Sequence, residues 1–194
     1  MRGVEQIPWV YDLVVGLFER MGLGRWRRWH AEGAVGRTLD LGCGTGRSLP
    51  LYPVSARPVA LDPELRLLLR ARKRSPAVPF VLARGEALPF PAATFETAAV
   101  SLVFCSVADP PKGLAEVRRI LAPGGSLRML EHVRPDGLAG HLADLLQPPW
   151  TFVAGGCHPN RRTEEAVAAA GFVIESGDRR VSSTLRRLVA RIRD

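Results

Sequence analysis

A chain of 194 residues, 46% hydrophobic and 24% charged, has the balance of one folded domain with a sizeable core, not of a disordered or fibrous protein. The formal net charge of +8 rests on 27 basic residues, of which only Lys73 and Lys112 are lysines; such a field suits an acidic ligand or an anionic membrane surface. The arginines are scattered instead of grouped around stacking aromatics, which argues against a nucleic-acid partner.

Cys43, Cys105 and Cys157 lie far apart with no C-x-x-C pair, so a disulfide framework is excluded and a reducing cytoplasm is expected. No run reaches the roughly 18 apolar residues of a membrane span, and the start does not read as a secretory signal.

Residues 1–36 read as an N-terminal helical lid segment ahead of a core over 37–194. Tyr11, Val14, Val15 and Phe18 recur at helical spacing, and Trp26 and Trp29 follow among Arg25, Arg27 and Arg28. Two readings stand. The helix packs its apolar side on the domain with the arginines in solvent, or Tyr11 and the tryptophans wall a substrate pocket or meet a membrane interface.

A short apolar strand, 38–41, then runs into glycines at alternate positions, Gly42, Gly44 and Gly46. Alternating glycines let the backbone turn tightly and approach a ligand without a Cβ in the way. Arg47 stands where a dinucleotide fingerprint needs its third glycine. Asp40 at the strand end would repel a pyrophosphate and suit an ammonium. A helix of about two turns is expected after the bend, its free N–H groups favouring a carboxylate. A ligand carrying both an ammonium and a carboxylate fits this turn better than a dinucleotide.

The second strand, 58–61, ends in Asp62-Pro63-Glu64. In a βαβ unit this strand lies beside the first, and Asp62 can accept both hydroxyls of a ribose; it can also cap the next helix, with Pro63 in the first turn. The stretch LDLGCGTG followed by this acid resembles the first motifs of class I S-adenosylmethionine (SAM) dependent methyltransferases. The Tyr11-Asp12 pair is similar to one that opens the lid segment of many small members.

The helix 63–74 carries Leu65, Leu68 and Leu69 on one face and Arg66, Arg70 and Arg74 on another, read as a solvated face. After a third strand, 80–83, the run Arg84-Gly85-Glu86-Ala87-Leu88-Pro89-Phe90 resembles the family's acidic-LPF loop, which holds adenine. Arg84 stands where relatives have the carboxylate. Either a backbone carbonyl replaces that contact or Glu86 shares it; Glu86 could equally hold the loop by accepting backbone N–H groups.

The fourth strand, 98–103, is a continuous apolar run, as for a strand covered on both faces. Residues 104–106 then fall at its ligand-side end, so Phe104 belongs near the reactive methyl. Cys105 is a nucleophile or a small buried hydrophobe. No N/D-P-P-Y tetrad of exocyclic-amine methyltransferases is present.

A helix over 110–121, a Pro123-Gly124-Gly125 turn and a fifth strand over 126–130 lead to Glu131-His132. His132 is a base or a hydrogen-bonded structural residue. The Glu131-His132 strand end, the Trp150 segment, Gly156-Cys157, Arg161 and Thr163 resemble the subgroup that includes membrane-associated thiol S-methyltransferases. Cys157-His158 lacks a ligand pair at workable spacing, so no metal is expected. Thr163 with Glu164 and Glu165 reads as a cap and acidic first turn.

Gly171 ends that helix, and 172–175 is a sixth strand. The C-terminus is either a basic amphipathic helix for a membrane surface or an edge strand alternating Leu188, Ala190 and Ile192 with outward Arg187, Arg191 and Arg193. The family's antiparallel seventh strand favours the second.

The resemblance implies a single α/β domain with a Rossmann-like doubly wound sheet, mainly parallel with an antiparallel seventh strand and helices on both faces. It implies SAM as cofactor, leaving as S-adenosylhomocysteine, with contacts at Asp40, Gly42, Cys43, Gly44, Gly46, Asp62, Pro63, Glu86, Ala87 and Phe104. Tyr11, His132 and His158 fall on the substrate side. The acceptor is expected to be small or lipid-like, a thiol for preference because no clear base is visible, with a quinone ring or a phospholipid amine as the alternative. A nucleic-acid-binding protein and a non-catalytic SAM binder are readings of another class. Peripheral membrane contact and the oligomeric state are left open.

Overall fold

The computed structural model describes residues 12–193 apart from positions 14, 18, 136, 154, 155 and 183, with backbone only at 21, 149, 150, 152 and 153. The expectations placed on Tyr11, Val14, Phe18 and the Trp150 ring therefore lie outside the described residues. The elements in chain order are α1 (Gly24–Glu32), β1 (Gly36–Leu41), β2 (Ala56–Asp62), α2 (Leu65–Arg74), β3 (Phe80–Leu82), β4 (Phe95–Ser101), α3 (Pro110–Ile120), β5 (Leu121–His132), α4 (Gly137–Val153), α5 (Thr163–Ala169), β6 (Phe172–Ile174), β7 (Arg180–Ser182) and β8 (Leu185–Ile192). A wide helical turn, Glu19–Leu23, precedes α1 and is broken at Gly22.

The strands form one sheet in the order β3-β2-β1-β4-β5-β8-β6, with β7 on β8. β1 to β5 pair in parallel, and β8 runs antiparallel to β5, β6 and β7. The C-terminal segment is thus a strand, though not an edge strand: β5 covers one side, β6 and β7 the other. Leu188, Val189 and Ala190 are buried accordingly.

Successive strand residues face opposite sides, and the core divides that way. Leu39, Leu41, Leu61, Val100, Leu127 and Met129 pack with Leu114, Val117 and Ile120 of α3 and Val167 of α5. Ala60 faces the other side, with Leu49 and Ala71 of α2. Helices on both faces make the sheet doubly wound. The register Asp40↔Ala60 puts Asp40 on that second face, and Asp62, two residues beyond Ala60, joins it.

Several expectations need correcting. The helix after the glycine bend is absent; turns and a single short 3₁₀ element, Leu49–Leu51, with Pro50 inside it, fill the space. Proline at 53 and the positive φ of Gly46 leave no room for two α-helical turns. On α2 only Leu68 and Ala71 are buried, while Leu65 and Leu69 stand 52% and 53% exposed. The cap of α5 is Arg162 with no side-chain bond, because Thr163 is turned inward and buried.

Trp26 and Trp29 are engaged by arginines of the sheet. Trp29 lies under the guanidinium groups of Arg128 and Arg187, each 4.5 Å from its ring centre, and Arg187 also covers Trp26 at 5.6 Å. Arg128 donates to the carbonyls of Trp29 and His30, so α1 is fastened to the sheet through its aromatic face. The long helix α4, not foreseen in the sequence, presents Leu138, Leu142, Leu145 and Leu146 to solvent. Among the described residues no helix is long and apolar enough to cross a membrane.

Candidate active site

The crevice opens where β1, β2, β4 and β5 end. Gly42, Gly44 and Gly46 all have positive φ, at 66°, 55° and 75°, a region that L side chains avoid. A Cβ at Gly42 would lie 2.4 Å from Val103 Cγ2, and one at Gly46 2.8 Å from Ala71 Cβ. The bend is therefore glycine for conformation and for space alike.

Hydrogen bonds lock it to β2. The N–H groups of Gly42 and Cys43 donate to the Leu61 carbonyl at 2.7 and 3.0 Å. Asp62 accepts from Gly44 N–H through Oδ2 and from Glu64 N–H through Oδ1, both at 2.9 Å. The cap of α2 is Glu64, which accepts from Arg66 N–H, so Asp62 ties the bend to the next turn rather than starting the helix. Burial raises the Asp62 pKa above 3.8, against the two N–H donors; its oxygens keep further lone pairs for a ligand.

Asp40 is 2% exposed. Burial is the main cause that pushes its pKa up to about 7. The Tyr52 phenol shares this space, near enough for each group to shift the other's pKa. Yet neither Asp40 Oδ2 nor Tyr52 Oη completes a hydrogen bond of good geometry. A buried acceptor without a donor costs about 1–3 kcal/mol, and a ligand ammonium is a donor of the right charge. Burial, then the charges of Asp40 and Asp62, raise the Cys43 thiol pKa, so Cys43 stays a neutral wall.

The segment ahead of α1 is held by charge. Asp12 accepts from Thr45 Oγ1 at 2.7 Å and Arg70 at 2.6 Å, and pairs with Arg47 and Arg74. Burial alone would raise the Asp12 pKa, but Thr45, Arg70, Arg74 and Arg47 together hold it low. Glu19 bonds Arg27 and Arg47. Arg27 is 6% exposed and also donates to Ser48. The expectation of solvated arginines thus fails at Arg27, which is buried, while Arg70 and Arg74 are exposed as expected and also pair with Asp12.

At the other end of the crevice β4 stops at Leu102, a non-glycine residue with φ of 59°. Glu131 Oε1 accepts from Val103 and Phe104 N–H at 2.7 and 2.9 Å. Burial chiefly lifts the Glu131 pKa to about 7. Arg161 donates to the carbonyls of Phe104 and Val107 at 2.5 and 2.6 Å, and His158 N–H to the Cys105 carbonyl at 2.7 Å. Glu86 Oε1 accepts from Ala108 and Asp109 N–H, the loop-holding role.

The predicted site residues divide. Asp40, Gly42, Cys43, Gly44, Gly46 and Asp62 come together. Pro63, next to Asp62, and Ala87 are both exposed. The Phe104 ring turns into the core against Gly113 and offers the crevice only its backbone. His158 is bound through Nδ1 to the Gly156 carbonyl at 2.6 Å.

His132 comes together with Cys105 and Cys157, their donor atoms all within 4.8 Å of one another. Spacing along the chain carries no trace of this convergence, because the three residues come from separate segments. The roles of Tyr52 and Glu131 were not foreseen; for Glu131 the one signal was a carboxylate at a strand's ligand-side end. Asp12 was visible only as the partner of Tyr11.

Residues 39–129 match the family described as "Methyltransferase domain". The chain is 34% identical to thiol S-methyltransferase TMT1B of Rattus norvegicus over 69% of its own length and 59% of that protein. It is 36% identical to demethylmenaquinone methyltransferase of Renibacterium salmoninarum over 59% of its length and 52% of that protein. It thus spans somewhat over half the length of these curated relatives. A SAM-dependent methyltransferase of Thermotoga maritima, titled a "possible histamine N-methyltransferase", aligns with a TM-score of 0.66 at 21% identity, covering 93% of this chain and 97% of that one; this likeness is one of fold.

Proposed function

We propose that the chain is a class I SAM-dependent methyltransferase that transfers a methyl group from SAM to a small or lipid-like acceptor, a thiol first. The bond from Gly44 N–H to Asp62 Oδ2 carries the reading, because it joins the glycine bend and the second-strand acid into one ligand-sized cradle. Asp40 and residues 42–46 would hold the amino-acid end of the cofactor, and Asp62 its ribose hydroxyls. Glu86 Oε1 is already engaged with two N–H groups, so a backbone carbonyl is the better acceptor for the adenine amino group beside Arg84.

When bound, SAM supplies a methyl group already activated by its sulfonium. What remains for the protein is alignment and exclusion of water, to which the Asp12 and Glu19 pairs and the Arg161 and Glu131 loop anchors contribute. A free thiol ionises near pH 8.5 and needs little help from a base. That chemistry, and the thiol named for the rat relative, support a thiol acceptor. The quinone named for the bacterial relative supports the second reading, methylation of a reduced quinone ring, for which His132 is the nearest base.

Two measurements test this. Titration calorimetry should register SAM and S-adenosylhomocysteine on the wild-type chain; absence of both signals ends the methyltransferase reading. Release of S-adenosylhomocysteine against alkyl thiol, demethylated quinol and aminolipid should be fastest with the thiol. A quinol or aminolipid preferred over it would replace the acceptor assignment and keep the cofactor assignment.

A further inference from the structure

Three side chains from separate parts of the chain converge at the β4 and β5 end of the crevice. Cys105 follows β4, His132 closes β5 and Cys157 lies in the loop beyond α4. Their two sulfurs and an imidazole nitrogen all lie within 4.8 Å of one another. We infer that Cys105, His132 and Cys157 form a binding site for a thiophilic divalent cation of the Zn²⁺ class, with three protein ligands and a fourth coordination position left for another donor.

Donor chemistry selects the ion. Two sulfurs and one imidazole suit Zn²⁺, whereas Mg²⁺ and Ca²⁺ require oxygen. Geometry allows it: with Zn–S near 2.3 Å, tetrahedral angles separate two sulfurs by about 3.8 Å. The donors need to draw together by about an ångström at most.

The scaffold is built to hold them. Glu131 and Arg161 hold Phe104 ahead of Cys105, and Arg161 holds the Val107 carbonyl after it. His158 N–H bonds the Cys105 carbonyl, and Thr151 Oγ1 bonds the Cys157 carbonyl at 3.1 Å, so the two cysteine loops are stapled to each other and to α4. His132 Nδ1 is enclosed without a hydrogen-bond partner, a cost that coordination through that nitrogen would remove. A dithiol poised only for disulfide formation would leave that imidazole without a role; a cation uses all three. Cys105 is buried while His132 and Cys157 are partly exposed, which gives an ion a way in.

Binding forms two metal–sulfur bonds and one metal–nitrogen bond and releases the two thiol protons to solvent. Nothing in this depends on which molecule is methylated. One consequence rests on the thiol reading above: the fourth position would take a thiol acceptor as its thiolate.

The test uses the whole chain, stripped of metal with a chelator, kept reduced with a phosphine and titrated with Co²⁺. The expected result is one equivalent bound, with thiolate-to-cobalt charge-transfer absorption and intense tetrahedral d–d bands that Zn²⁺ abolishes. Cys157→Ser and His132→Ala should weaken binding by roughly tenfold or more, and Cys43→Ser should leave it unchanged. Cys157 lies in a partly exposed loop, so its variant reads out ligation even if Cys105→Ser fails to fold. Absence of the charge-transfer band in reduced wild type, or an undiminished band in Cys157→Ser, overturns the site. So does a Cys105–Cys157 disulfide in protein that takes up no Co²⁺ once reduced. Each of these readouts stands apart from methyl transfer, so failure here leaves the SAM calorimetry untouched.

Discussion

At its β1–β2 end the crevice is a short run of consecutive residues, 40–46, bonded through its own backbone to Leu61 and Asp62. At its β4–β5 end it is assembled from residues near positions 86, 104, 131 and 158, and what joins them is mostly a side chain reaching a backbone group far along the chain. The geometry of the first end resides in φ angles that only glycine accepts easily. The second end can be re-equipped by exchanging a few side chains while the sheet stays as it is. One fold can therefore serve different acceptors with the same cofactor end.

That contrast can be broken first at Gly42. Gly42→Ala places a methyl group 2.4 Å from Val103 in a left-handed backbone. The expected loss is about 2–4 kcal/mol of stability, with SAM affinity falling too; a chemical-denaturation midpoint like that of the wild type would show that the bend tolerates a side chain.

Asp62→Ala comes next. Removing bonds to a charged group costs about 1.5–3 kcal/mol, so calorimetry should show SAM weakened by roughly tenfold to a hundredfold. Undiminished affinity would detach Asp62 from the ligand. At the opposite end, Arg161→Ala should cost about 1–2 kcal/mol and raise the KM for the acceptor while the dissociation constant for SAM stays put. If SAM weakens equally, the two ends are not separable.

A pH series sharpens the picture at Asp40. Its folded pKa, about 7, lies above the ordinary 3.8, so the folded state holds this proton more tightly than the unfolded state. The stability it contributes is fully present below about pH 4 and is lost as pH rises through 7. A cationic ammonium favours the carboxylate, so SAM affinity should climb over the upper part of that window and level off above it. Asp40→Asn should flatten both curves; a wild-type binding profile without slope between pH 5 and 8 would contradict this.

The smallest effect is expected from Asp12→Ala, whose partly exposed pairs are worth about 1 kcal/mol or less apiece. SAM should weaken several-fold, and limited proteolysis should cut more readily ahead of α1.

The sequence by itself determined the glycine bend and the acid at the end of the second strand, because those follow from local rules, while the doubly wound sheet and its antiparallel strand entered as what the family resemblance implies. Glycines at alternate positions demand one kind of bend, an acid at a strand's end faces the side its parity dictates, and continuous apolar runs need cover on both faces. It also determined which residue types were at hand, including three cysteines dismissed for their spacing. Only the tertiary structure decided what those residues meet. It placed the C-terminal strand between neighbours instead of at an edge, buried Arg27 against Ser48, turned the Phe104 ring inward, and set Cys105, His132 and Cys157 side by side. The physical reason is range. A φ angle is fixed within a residue or two, but a side chain meeting a partner dozens of positions away depends on the register of every strand between them.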